Sequence, residues 1–196
     1  MRSEANGRMA TEIGRRLLHT RQVICKGYLR DDGLFEFEGV LEDSKTQAHS
    51  LNYKHIAVGE PVHLMRIVMT VDAERVIREI QVKTEAAPTP FCAEVNPAYT
   101  ALQGLKIAPG FKKKVAECVG GEAGCTHLTE LLGRMATTVY QTIATLKYES
   151  ERRSEAVIGT DNRWVIGGCH AYRVGSEGAR RLAVDRDGAG KSGDDL

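Results

Sequence analysis

Apolar and polar residues alternate along the first half of the chain and then give way to a longer period. RQVICKGYLR, from Arg21 to Arg30, reads as a strand and runs into Asp31, Asp32 and Gly33. In the following LFEFEGVLED, Phe35, Phe37 and Leu41 alternate with Glu36, Glu38 and Glu42. A period of two marks a strand with one wet face, and Asp-Gly between two such runs marks a hairpin turn. A second hairpin follows. His63, Met65, Ile67, Met69 and Val71 share one face, DAER turns the chain, and Val76, Ile80 and Val82 return in phase. The intervening SKTQAHSLNYKHIAVGEP has no period, because Ser, Asn, Gly and Pro interrupt it, and reads as a connection or edge region.

Beyond Pro90 the spacing lengthens to three and four. Leu128, Leu131, Leu132, Met135, Ala136, Val139, Tyr140, Ile143 and Ala144 form one stripe of a helix running from Thr126 to about Glu149. Thr126 is the expected N-cap, and Glu130 adds negative charge where the helix dipole favours it. Two shorter helices are expected, one opened by Asn96-Pro97 and ending near Leu102, the other from Phe111 to about Val119. NRWVIGGCHAYRV reads as a final strand or pair of short strands. Strands first and helices afterwards predict an α+β fold, an antiparallel sheet of about four to five strands packed against three helices. The expected organisation is a flexible arm over residues 1–16, one domain over 17–173, and a disordered tail over 174–196, where Gly, Ser, Arg and Asp dominate.

Charge and composition then narrow the function classes. With 27 basic and 26 acidic residues the net charge is +1, so neither nucleic acid nor an anionic membrane is the expected partner. No apolar run reaches the roughly 20 residues of a membrane-spanning helix. The first residues carry arginines without the apolar core of a secretory signal. Five cysteines without framework spacing fit a reducing compartment, and the expected location is cytoplasmic.

Candidate chemistry gathers at the ends of elements. GGEAGCTHLTELL places Cys125 and His127 at the mouth of the long helix, on its buried side. The positive end of a helix favours thiolate, the form that binds a metal or attacks an electrophile. His63 stands at a strand start and Cys92 just after a strand. His63, Cys92, Cys125 and His127 would together suit tetrahedral zinc, and thiolates with imidazoles also suit an iron–sulfur cluster. Two other readings stand beside this metal site. One is a metal-free thiol enzyme with Cys125 as nucleophile and His127 or His63 as base, acting on an acyl or thioester substrate. The other is an accessory or interaction protein whose cysteines are packing. Cys25 and Cys118 read as fillers, and Cys169-His170 as an extra ligand pair or an accident of a strand end. Asp31 and Asp32 read as turn residues, and Asp43 with Lys45 as a surface ion pair. Substrate, partner protein and oligomeric state lie beyond these patterns.

Four segments, RDDGL at Arg30–Leu34, LEDSK at Leu41–Lys45, GEPVH at Gly59–His63 and GCTHLTELL, resemble the bacterial domain of unknown function 2889 family over about residues 17 to 173. That resemblance implies no activity. The order of MRIVMTVD, a turn, VIREIQVKT, a cysteine before a helix, LQGLKI and a cysteine opening a long helix is also similar in layout to the iron–sulfur scaffold fold of the IscU and NifU type. This likeness implies a bound cluster or zinc ion. His63, Cys92 and Cys125 would take the places of the three scaffold cysteines, with His127 supplying the remaining ligand.

Overall fold

The structure, a computed structural model, describes residues 14–153 and 165–184, with the side chains of 147–153 and 182–184 left aside. Strand β1 (His19–Leu29) turns through Asp32-Gly33 into β2 (Phe35–Lys45). Gly33 has φ +81°, which suits glycine, and Asp32 Oδ1 accepts the Leu34 N–H at 3.2 Å, so the two aspartates do serve the turn. The unpatterned link holds two short strands, β3 (His49–Ser50) and β4 (His55–Ile56), paired with each other. Strands β5 (Pro61–Val71) and β6 (Ile77–Ala86) complete an antiparallel sheet ordered β1-β2-β5-β6.

Between β5 and β6, Asp72 Oδ1 accepts the N–H groups of Glu74 and Val76, each at 2.9 Å, while Arg75 takes φ +66°. The register then slips by one residue. Val71 pairs with Ile77 but Thr70 pairs with Glu79, leaving Arg78 as the extra residue of a bulge. Ile77 therefore joins Ile80 in the core. Val76, expected in that role, bridges to Lys106 instead.

A 3-10 helix (Pro90–Leu102) follows the sheet, then α1 (Phe111–Val119), a short 3-10 turn (Gly121–Ala123) and α2 (Thr126–Arg153). The first of these begins earlier than Asn96-Pro97 suggests, with Pro90 in its opening turn and Pro97, which lacks an N–H, inside it. Helix α2 lays Leu128, Leu131, Leu132, Met135, Val139 and Ile143 against one face of the sheet, where Phe35, Phe37, Leu41, Met65, Ile67 and Met69 are also buried. Full burial of each such side chain contributes about 1.5–3 kcal/mol. Glycine in the middle of β2 lets the helix approach: a Cβ at Gly39 would overlap the Met135 sulfur. This is an α+β fold, with one helix layer on one face of an antiparallel sheet.

Two expectations near the C-terminus change. Residues 165–176 form turns where a strand is expected, while the first part of that expected strand, 162–164, lies outside the described residues. Within the stretch read as a tail, Glu177–Val184 is a helix, α3. Its start is fixed by Ser176, whose Oγ accepts the Ala179 N–H at 3.1 Å and is itself buried. Low apolar content hides this short helix from a search for period, because a single capping serine and Ala179 anchor it.

Candidate functional site

Strand pairing alone assembles most of the site. Arg21 lies opposite Asp43, and Asp43 lies opposite His63, so the three form one row across β1, β2 and β5. The next row inward, Val23–Leu41–Met65, is the edge of the apolar core. His127, in the first turn of α2, comes down over the polar row, and His19 joins from two residues before Arg21.

Asp43 is the hub. Its side chain is 1% exposed, and its carboxylate takes a fork from Arg21, Nε to Oδ1 and Nη2 to Oδ2, both at 2.7 Å. His19 Nε2 stands 3.0 Å from Oδ1, and His63 Nδ1 stands 3.0 Å from Oδ2. His127 Nε2 is 3.8 Å from the same Oδ2, and its ring stacks on His63 with centroids 3.9 Å apart. The outer edge is closed by Glu130, whose Oε2 accepts from Arg21 Nη1 at 2.8 Å.

Burial pushes the Asp43 pKa up, but the Arg21 guanidinium and the facing His19 and His63 outweigh it and hold the carboxyl well below its ordinary range. An ionised carboxylate only accepts, so His63 presents Nδ1–H to it. Both stacked imidazoles are shifted below 6.5. For His63 the causes are burial and then the neighbouring His127; for His127 they are burial and then Arg21. Two neutral imidazoles beside a carboxylate are competent metal donors. Ligand atoms of Asp43, His63 and His127 lie within 4.8 Å of one another, and among the described residues no other such group of three or more occurs.

The four residues singled out by sequence divide. His63 and His127 meet face to face. Cys125 is at their edge, its Sγ 3.8 Å from His127 Nδ1. Its backbone is fixed by the buried Tyr99 hydroxyl, which accepts the Cys125 N–H at 3.0 Å and donates to the Cys125 carbonyl at 3.1 Å. That carbonyl also accepts the Thr129 N–H at 2.9 Å, so Cys125, and not Thr126, occupies the capping position. Cys92 is elsewhere, inside the 3-10 helix with Thr89 Oγ1 3.3 Å from its sulfur, and takes no part in the Asp43 group. Cys169 and His170 sit in the 165–176 turns, where His170 faces Arg173, and are likewise outside it. Cys25 packs against the core, and Cys118 is exposed.

The chain matches, over residues 19–141, the family described as Protein of unknown function (DUF2889). The chain belongs to this family. The part shared with DUF2889 opens at His19 and takes in Arg21, Asp43, His63, Cys125, His127 and Glu130, so the whole cluster lies inside the family's span. No curated protein and no solved structure matches the chain, which leaves the IscU/NifU likeness without support. No described helix is long and apolar enough to cross a membrane.

The reading of Asp43 as one half of a surface pair with Lys45 is overturned. Its partners are His19, Arg21 and His63, and it is almost wholly buried. The alternation that marks Phe35, Phe37 and Leu41 as inward, carried one step further, reaches Asp43. A carboxylate on the inward phase of a strand is the signal that was there to find.

Proposed function

We propose that Asp43, His63 and His127 form the protein side of a divalent transition-metal centre, with zinc the favoured ion. What carries this reading is the convergence of a buried carboxylate and two stacked, neutral imidazoles from three separate segments. Around a tetrahedral zinc with bonds of about 2.1 Å, donors stand about 3.4 Å apart, close to the 3.8 Å between His127 Nε2 and Asp43 Oδ2, while His63 would have to offer its lone-pair nitrogen in place of the Nδ1–H it now gives to Oδ2. The donors are nitrogen and oxygen with one thiol, Cys125, at the rim, a set that suits zinc or iron(II) and falls short of the thiolates an iron–sulfur cluster needs. Three protein donors leave a fourth position for water, or for Cys125 if its side chain turns inward. In the first case a bound ion would supply Lewis-acid activation of water or of a carbonyl; in the second it would be structural. The free cysteines at all five positions suit a reducing compartment, and we place the protein in the cytoplasm.

One observation favours a second reading. Cys125 Sγ, His127 and Asp43 stand in line, with the thiol facing Nδ1 and the carboxylate facing Nε2, each across 3.8 Å. Nucleophile, base and orienting group are arranged in that order in thiol enzymes, whose thiolate attacks an acyl carbon and expels the leaving group. Elemental analysis of tag-free protein, together with alkylation of Cys125, separates the two. Near-stoichiometric metal that disappears in His127→Ala supports the centre. Metal-free protein that also resists zinc loading, with Cys125 alkylated faster than the other cysteines, replaces it with the thiol enzyme.

A further inference from the structure

Both oxygens of Asp43 are already engaged, so an ion cannot simply be added. Oδ2, the oxygen shared by His63 and His127, also receives Arg21 Nη2 at 2.7 Å. A cation and a guanidinium on one carboxylate oxygen repel each other, and a low-dielectric setting strengthens that repulsion. Arg21 has a second anchor within reach. Its Nη1 is bonded to Glu130 Oε2 at 2.8 Å, and both residues are 37% exposed, at the rim where a side chain can move. Nε, by contrast, points to Oδ1, which the ion does not need.

We infer that Arg21 is an exchangeable occupant of the metal site, and that Glu130 receives its guanidinium when an ion takes Asp43 Oδ2. This rests on the metal reading of the cluster and adds its regulation. Arg21 keeps Asp43 ionised and paired while the site is empty, which spares the fold an isolated buried charge. Glu130 lowers the cost of giving up that contact, because the arginine keeps a carboxylate partner. Arg21 and Glu130 are positioning residues here, acting on the metal through Asp43.

The test is a double-mutant cycle read by cobalt(II) absorption and by zinc competition on the full chain. Glu130→Gln should weaken metal binding by about tenfold, the scale of an outer-shell contact. Arg21→Gln should tighten binding, and Glu130→Gln should then add less than about twofold, since the charge it accommodates is gone. Arg21→Lys, which cannot fork, should fall between wild type and Arg21→Gln. The inference is overturned if Glu130→Gln weakens binding equally in both backgrounds, which would mean a direct field on the ion. It is also overturned if Arg21→Gln loosens binding, which would make Arg21 an orienting group. Wild-type protein that takes up neither ion would instead remove the metal reading itself, a result distinct from these two.

Discussion

Asp43 and Asp72 are both nearly removed from solvent, yet the chain holds them in opposite ways. Asp72 is satisfied by its own neighbourhood: the Glu74 and Val76 N–H groups come from the turn that follows it and the Arg78 guanidinium from the start of β6, six residues on. Asp43 receives only side chains, from His19, Arg21 and His63, which lie 24, 22 and 20 residues away in sequence. A carboxylate that accepts backbone N–H groups shapes the turn in which it stands. One whose partners come from the two flanking strands shapes nothing locally, and an apolar residue in the same row would extend the core past Val23, Leu41 and Met65 at lower cost. Asp72 is where a carboxylate builds the fold, and Asp43 is where the fold builds around a carboxylate.

The sharpest way to break that contrast is Asp43→Asn. The isosteric amide keeps the shape and loses the charge that Arg21 and an ion both need. Zinc affinity is expected to fall by about 100-fold or more, while stability falls by about 1–2 kcal/mol as charge-assisted bonds become neutral ones. Isothermal titration and urea unfolding measure the two separately. Unchanged zinc affinity would return Asp43 to a structural role like that of Asp72.

Gly39→Ala probes the apolar part of the same sheet face. Its added methyl meets Met135 and Leu131, and the helix above cannot retreat without uncovering Ile67 and Phe37. A loss of about 1–3 kcal/mol is expected in urea unfolding. Metal affinity should change by less than about threefold, because the row Cys25–Gly39–Ile67 is separated from the Asp43 row by Val23–Leu41–Met65. A larger change would mean that the helix sets the height of His127 over the sheet.

Asp72→Asn tests the other carboxylate. Burial raises the Asp72 pKa, but the Val76 N–H and Arg78 outweigh it and leave it below the ordinary 3.8. A folded pKa that is depressed contributes stability above the unfolded value, and that contribution is lost as pH falls through the folded one. The variant should therefore be about 1 kcal/mol less stable near neutrality and should converge on wild type as the pH drops below about 3.8. Unfolding midpoints across an acid series would show this. A constant gap at every pH would place the effect in the turn geometry and not in the charge.

How legible these regions were in sequence follows from the same distinction. Phe35, Phe37, Met65, Ile67 and Met69 announce their strands by alternation, and Leu128, Leu131 and Leu132 announce α2, because apolar period is what a sheet packed on a helix requires. Asp32-Gly33 announced its turn through a local bond. His63 was legible as an inward residue because it continues the phase of Met65. Asp43 is legible only as a carboxylate on the inward phase of β2, and His19 and Arg21 look like ordinary surface residues until strand register sets them beside it. Cys92 shows the converse case, since the structure sets it apart from the Asp43 group. Residue type and a place near a strand end made it a ligand, but spacing along the chain carries no information about where a 3-10 helix will point its thiol.

Cys92→Ser should therefore do least of all. Its sulfur has Thr89 Oγ1 at 3.3 Å as its partner, and serine can keep that contact as a hydroxyl pair. Metal affinity is expected to stay within about twofold of wild type, because the Asp43 group needs no second thiol to reach the donor number of an open zinc site. Cys125→Ser should stand between this variant and Asp43→Asn, with a loss of about three- to tenfold if the rim sulfur enters the coordination sphere. The order of the two cysteines is the informative quantity. Were Cys92→Ser to weaken metal binding as much as Cys125→Ser does, the ligand set would have to draw the 3-10 helix toward α2. The row of Arg21, Asp43 and His63 would then be an electrostatic support beside the metal and not its cradle.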